Sequence, residues 1–168
     1  MRNKLESRKI VVLGAMTALA IVLSIVESFL SPIFPFPGVR LGLANIVTMF
    51  VLFEWGWFSG MTVVLIKSVF VLLSRGFVAF TLSLTGGIAA LTVIALLTVL
   101  FRGELSILLS GIAGAVTHNL TQLFFIYILY HMNLFAYYAP WFVIFGVATG
   151  SLTAYLLRIS SPIIRRNL

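Results

Sequence analysis

Long apolar stretches alternate with short breaks along the whole chain. The breaks contain proline, glycine, tryptophan or charge, as in "SPIFPFPGVR", "EWGW", "SRGF", "RGE" and "HMNLFAYYAP". Apolar runs of about 20 residues are long enough to cross the hydrocarbon of a bilayer as helices. Six segments are predicted, at residues 10–30, 41–54, 57–74, 79–101, 105–130 and 139–157. The pattern therefore predicts an all-α integral membrane protein, in which residues 1–168 form a single domain, a compact bundle of six transmembrane helices.

The second segment is shorter than the others. Residues 41–53 would span only about 20 Å as a helix, against a hydrocarbon thickness of about 30 Å. Neighbouring helices or a locally thinner bilayer would have to compensate for the difference. We expect the start of this segment, with Gly42, Ala44 and Asn45, near the outer face of the membrane. Asn45 would there offer both a hydrogen-bond donor and an acceptor.

Composition supports the membrane assignment. The chain is 61% hydrophobic and 9% charged, which leaves a soluble domain too little polar surface to cover its core. It contains no cysteine, so disulfides and thiolate metal sites are excluded. The basic N-terminus followed by an apolar run resembles a signal peptide, but the run has the length of a full span and lacks a small-residue cleavage site. We therefore expect a retained first helix.

The net charge of +7 is concentrated at the two ends of the chain. Basic residues that flank apolar segments are typical of topology signals rather than of nucleic-acid binding, so no nucleic-acid partner is expected. An even number of spans puts both termini on one side, and their charge predicts the cytoplasmic side of the cytoplasmic membrane. Arg40 and Arg75 then fall outside. They either anchor helix ends to head groups or help to capture an anion.

Two ionisable residues lie inside the predicted membrane spans. A lysine or a glutamate near the bilayer centre costs at least about 2.5–3.5 kcal/mol. Lys67 lies near the middle of the third segment, and Glu27 lies in the outer third of the first. Lys67 either pairs with Glu27 or another carboxylate, or faces a cavity and meets an anionic ligand.

The fifth segment carries a polar stretch, "AVTHNLTQLFF", inside an apolar run. His118 and Gln122 share one helical face at about 100° per residue, and Asn119 flanks it. Gly111 and Ala115 continue that face below them. Polar residues such as these can serve as hydrogen-bonding contacts between helices. Because His118, Asn119 and Gln122 occur together and at a depth comparable to that of Lys67, a polar cavity is favoured.

Catalysis is not expected. The chain has no aspartate, its four glutamates are scattered, and it lacks a serine–histidine–acid spacing and a phosphate-binding glycine loop. His118 and His131 have no carboxylate or cysteine at metal-ligand spacing, so neither a metal nor another cofactor is predicted. Since no nucleotide site is present, active uptake would need a partner that hydrolyses ATP.

About six short spans with basic ends in fewer than 200 residues resemble the substrate-binding S components of energy-coupling factor (ECF) transporters. More specifically, "RLGLANIVTMF", "LSLTGGIAAL" and "AVTHNLTQL" resemble the bacterial Gx transporter or heptaprenyl diphosphate synthase component I family. The resemblance implies a bacterial membrane subunit that takes up a small, vitamin-like or quinone- or isoprenoid-precursor molecule. It would dock on a transmembrane scaffold subunit carried by two ATPases.

The resemblance also implies particular site residues. S components commonly dock through an Ala-x-x-x-Ala line on the first helix, and this chain has Gly14 and Ala18 at that spacing. The expected ligand site comprises eight residues, namely Glu27, Arg40, Asn45, Lys67, Arg75, His118, Asn119 and Gln122, with the loops "SPIFPFPG" and "HMNLFAYYAP" closing it from outside. The competing interpretation is a non-catalytic membrane subunit that anchors a prenyl diphosphate synthase.

Overall fold

The fold is known from a computed structural model that describes residues 2–30, 42–130 and 135–167. These residues form helices and no strand, in the order α1 (Arg2–Leu30), α2 (Leu43–Trp55), α3 (Trp57–Arg75), α4 (Phe77–Leu100), α5 (Ile107–Tyr130) and α6 (Phe135–Asn167). The prediction of an all-helical chain is thus confirmed.

Five of the described helices are long and apolar enough to cross a membrane. The qualifying stretches are Ser7–Leu30, Trp57–Arg75, Phe77–Leu100, Ile107–Tyr130 and Tyr137–Ile164. The exception is α2, which has 13 residues and therefore a length of about 20 Å. A bundle of six complete spans remains a prediction, because α2 alone is too short to cross.

The last helix begins earlier than the sequence predicts. The break "HMNLFAYYAP" was expected to be a loop up to Pro140, but residues 135–140 belong to α6. Pro140 lies in the second turn, where its missing N–H removes one intrahelical hydrogen bond without interrupting the rest of the helix. The remainder of this break and all of "SPIFPFPGVR", including Arg40, lie outside the described residues.

Single glycines connect α2 to α3 and α3 to α4. Gly56 has φ 83° and ψ −179°, and Gly76 has φ 84° and ψ −178°. This region of backbone space is essentially restricted to glycine. Each glycine N–H also donates to the carbonyl four residues earlier, at 2.9 Å to Leu52 and 3.0 Å to Leu72. Consecutive helices thus reverse direction within one residue.

The closest helix contact joins α5 and α6. A Cβ atom added at Gly150 would lie 2.6 Å from the carbonyl oxygen of Gly111, and one added at Gly146 would lie 2.8 Å from the Cα of Val116. The residue numbers of each pair that meets add up to about 262. A constant sum of this kind indicates that the two helices run antiparallel. Small residues permit this approach, as they do in other membrane bundles.

Large apolar side chains cover much of the outer surface of the bundle. Large apolar side chains such as Phe29, Leu73 and Val99 are more than three-quarters exposed. Buried polar or charged residues of the described chain include Glu27 and Lys67, at 5% and 3% exposure. Because apolar side chains face outward where lipid would lie, these features define a polytopic membrane protein.

Candidate functional site

The expected site residues fall into two groups in the structure. We call Glu27, Asn45, Lys67 and Arg75, which surround the start of α2, the α2 cluster. We call His118, Asn119 and Gln122 the α5 cluster. Arg40, the eighth expected residue, lies outside the described part of the chain.

Two residues of the α2 cluster, Asn45 and Lys67, lie level with each other on neighbouring helices. Asn45 precedes Trp55 by ten residues and Lys67 follows Trp57 by ten, so each lies about 15 Å from the turn at Gly56. Lys67 Nζ lies 3.5 Å from Asn45 Oδ1, which agrees with their equal depth. The expectation that Asn45 lies near the outer face of the membrane stays a prediction.

Glu27 caps the start of α2 from the neighbouring helix. Its Oε1 accepts a hydrogen bond of 2.7 Å from the backbone N–H of Gly42, which has a left-handed φ of 74°. A carboxylate at this position satisfies an otherwise unpaired N–H group and complements the positive end of the helix dipole. Glu27 thus has a structural role that the sequence alone did not indicate.

Arg75 joins the C-terminal end of α3 to α1. Its Nη2 donates a 2.7 Å hydrogen bond to the carbonyl oxygen of Ser24, and its charge interacts with that of Glu27. In the described residues, the α2 cluster contains two bases, Lys67 and Arg75, and one acid. The cluster is therefore positive on balance, and the N-terminus of α2 adds to this potential.

The α5 cluster joins α5 to its neighbours. Asn119 Nδ2 donates to the Phe142 carbonyl on α6, and Gln122 Nε2 donates to the Leu82 carbonyl on α4, each at 3.4 Å. Gln122 is fully buried, and its Oε1 has no hydrogen-bond partner in the described chain. Both amides thus serve as interhelical contacts, and Gln122 keeps one buried acceptor.

His118 fits against a glycine of α4. A Cβ atom added at Gly86 would lie 2.8 Å from His118 Nδ1 and 3.2 Å from its Cγ. His118 is 4% exposed. The glycine in "LSLTGGIAAL" therefore makes room for the imidazole ring, which explains the presence of small residues opposite the polar stretch.

A small cavity lies beside the α2 cluster, toward the basic end of the bundle. Its volume is about 20 Å³, enough for one water molecule. Asn45, Thr48 and Thr153 supply its polar lining, and most of the other lining residues are small or aliphatic. The larger cavity that the sequence suggested stays a prediction, because the loops expected to close it lie wholly or partly outside the described residues.

Sequence reasoning missed several polar residues of the bundle interior. Thr153 lies 3.8 Å from an added Cβ at Gly42, and thus links α6 to the start of α2. Ser68 and Ser83 share a 3.3 Å hydrogen bond between α3 and α4 and are fully buried. Their only signal in the sequence is a small hydroxyl within an apolar span.

Gly14 and Ala18 lie on an exposed face of α1. No described atom lies within 4 Å of a Cβ added at Gly14. By contrast, all the other glycines inside described helices have a neighbour at 2.8 Å or less, namely Gly60, Gly86, Gly87, Gly111, Gly114, Gly146 and Gly150. The small size of Gly14 therefore serves no packing contact within the described chain.

These features define a helical membrane protein with a buried, net-positive polar centre. Residues 16–159 match the model of the family described as heptaprenyl diphosphate synthase component I, and the chain belongs to that family. The resemblance noted in the sequence is thereby confirmed. No curated protein matches the chain significantly, and neither does any solved structure.

Proposed function

We propose that the chain is the substrate-binding S component of an ECF transporter, and that it binds a small anionic molecule at the α2 cluster. The observation that carries this proposal is the position of Lys67, which is buried in the bundle beside the first turn of α2. Cations are favoured at the C-terminal ends of helices, not at the N-terminal ends. One carboxylate, Glu27, faces two bases and this helix end, so an added anion would be stabilised.

Binding is proposed to involve the whole expected site. An anionic group would meet Lys67 and Asn45, and Arg75 would extend the positive potential outward, where Arg40 is also expected. The unsatisfied Oε1 of Gln122 offers an acceptor to a donor group of the ligand or to water. His118 and Asn119 would hold α4, α5 and α6 in place around this space. The chain itself is proposed to be non-catalytic.

The exposed face of α1 supports docking on a partner. Gly14 and Ala18 are small residues, so another helix can approach this face of α1 closely in the membrane. We propose that an ECF scaffold subunit, carried by two ATPases, packs there. Both chain termini are proposed to lie in the cytoplasm of a bacterium, because the basic residues concentrate at that end.

Ligand binding is tested by mass spectrometry of small molecules that copurify with the protein, followed by affinity measurements. Losing one charge-assisted contact costs about 1.5–3 kcal/mol, or roughly ten- to a hundredfold in affinity. We expect a loss of this size for Lys67→Met. The matched control is Lys9→Met, since Lys9 is exposed in the N-terminal part of α1. Equal affinity of Lys67→Met and the wild type, in a folded protein, would refute an anion site at Lys67.

Docking is tested separately, by copurification with scaffold and ATPases. Ala18→Leu and Gly14→Leu should abolish association and leave ligand affinity unchanged. Ala148→Leu is the matched control, because Ala148 is equally exposed but lies on α6. Normal copurification of the α1 variants would exclude this face as the docking surface.

A second candidate is a membrane subunit that anchors a prenyl diphosphate synthase. The description of the family favours it, since it names a component of that synthase. This role needs no ligand at Lys67. Copurification of a prenyl diphosphate synthase in place of ATPases, with no bound small molecule, would establish this role instead.

A further inference from the structure

An open groove runs between α5 and α6 near the end of the bundle that carries both termini. It has a volume of about 370 Å³ and is lined by Ser106, Ile107, Leu108, Ser151, Ala154, Tyr155 and Arg158. The groove is separate from the α2 cluster, with which it shares no residue.

The antiparallel packing of α5 and α6 fixes the position of the groove along the bundle. Gly111 meets Gly150 and Ala154, so positions that face each other have numbers adding to about 261–265. Arg158 is then level with residues 103–107, where α5 begins, and Tyr155 lies about one turn further into the bundle.

The lining of the groove changes from charged to apolar with depth. Arg158 is exposed and makes no hydrogen bond or ion pair with the described residues. Its planar guanidinium group can bind two oxygen atoms of a phosphate. Tyr155, 63% exposed, adds a hydroxyl on an apolar ring, as is typical of the membrane interface. Leu108 and Ala154 supply apolar walls beside it.

We propose that this groove binds the phosphate-bearing headgroup of an anionic phospholipid from the adjacent leaflet, with its first acyl carbons against Leu108 and Tyr155. Charge complementarity with Arg158 selects an anionic headgroup over a zwitterionic one. The lateral opening of the groove toward exposed apolar side chains suits an occupant that arrives from the bilayer. Basic groups near an anionic leaflet each contribute about 1 kcal/mol, which corresponds to about fivefold in affinity.

The test uses the purified full-length chain in detergent, titrated with phosphatidylglycerol or with phosphatidylcholine of the same acyl chains. Bound lipid is counted by native mass spectrometry, and the melting temperature is followed in parallel. We expect phosphatidylglycerol to be retained more tightly, and Arg158→Gln to reduce its affinity about fivefold. Arg158→Lys keeps the positive charge and should retain the preference for phosphatidylglycerol over phosphatidylcholine.

The control variant is Arg102→Gln. Arg102 is exposed at the same end of the bundle, in the connection between α4 and α5, but does not line the groove. It should leave phosphatidylglycerol affinity unchanged. Equal retention of the two lipids, or equal losses in Arg158→Gln and Arg102→Gln, would overturn the proposal. If inorganic phosphate displaced phosphatidylglycerol when both are at the same concentration, the assignment of the occupant to a lipid would be overturned.

Discussion

Replacing Gly150 with alanine should destabilise the bundle although it adds a single methyl group. The new Cβ would lie 2.6 Å from both the carbonyl oxygen of Gly111 and the Cα of Ile112. Ordinary contact begins at 3.4 Å, so the two helices would have to separate locally by about 0.8 Å. Because both neighbouring atoms belong to the backbone, no side-chain rotation can relieve the contact.

The expected cost follows from overpacking. Extra methyl groups in a well-packed interior cost about 1–3 kcal/mol, while alanine regains up to about 1 kcal/mol of helix propensity over glycine. A net loss of about 1 kcal/mol lowers the melting temperature of a chain of this size by roughly 2–4 °C. The assay is thermal unfolding of the purified protein in detergent, monitored by tryptophan fluorescence.

Gly14→Ala is the matched control. It makes the same substitution in a helix, but no described atom lies within 4 Å of the added Cβ. Its melting temperature should equal or slightly exceed that of the wild type. If Gly150→Ala were as stable as Gly14→Ala, the close approach of α5 and α6 would have to be abandoned.

Three further predictions address other parts of the bundle. Gly86→Ala should lower the melting temperature less than Gly150→Ala does, because the atom it meets belongs to the His118 side chain, which can shift. Glu27→Leu should cost about 1–3 kcal/mol in unfolding experiments, since it leaves the buried Gly42 N–H without its acceptor; a wild-type stability would disprove the cap. A reporter enzyme fused after Arg166 should be active only in the cytoplasm, and activity outside would reverse the proposed orientation.

The helices could be predicted from the sequence, but the alignment of α2 against α3 could not. Lipid requires every backbone group of a spanning segment to be satisfied internally, so apolar length is a strong signal for helices. The start of α2 depends instead on the turn at Gly56, which makes Asn45 level with Lys67. A single glycine does not reveal in the sequence whether it ends a helix or permits close packing. Pro140 shows the same ambiguity, because one proline near a helix start is tolerated.

The residues of the candidate site could be predicted better than their contacts. The high cost of polar groups in hydrocarbon singles out Glu27, Lys67 and Gln122 from sequence alone. Their partners lie on other helices and are mostly backbone atoms, such as the Gly42 N–H and the Leu82 carbonyl. Sequence carries no side-chain signal for a backbone partner. The distinction between an interhelical contact and a ligand contact therefore required the packed bundle.

The one-residue connections at Gly56 and Gly76 have a mechanical consequence. Consecutive Cα atoms are held 3.8 Å apart by the trans peptide, so a single residue has no length with which to absorb relative sliding of its two helices. Sliding of α2 along α3, and of α3 along α4, is therefore restricted. Motion at these two connections would instead be rotation about the backbone dihedrals of a single glycine. Any opening that admits a ligand to Lys67 would then change the angle between neighbouring helices rather than their relative height.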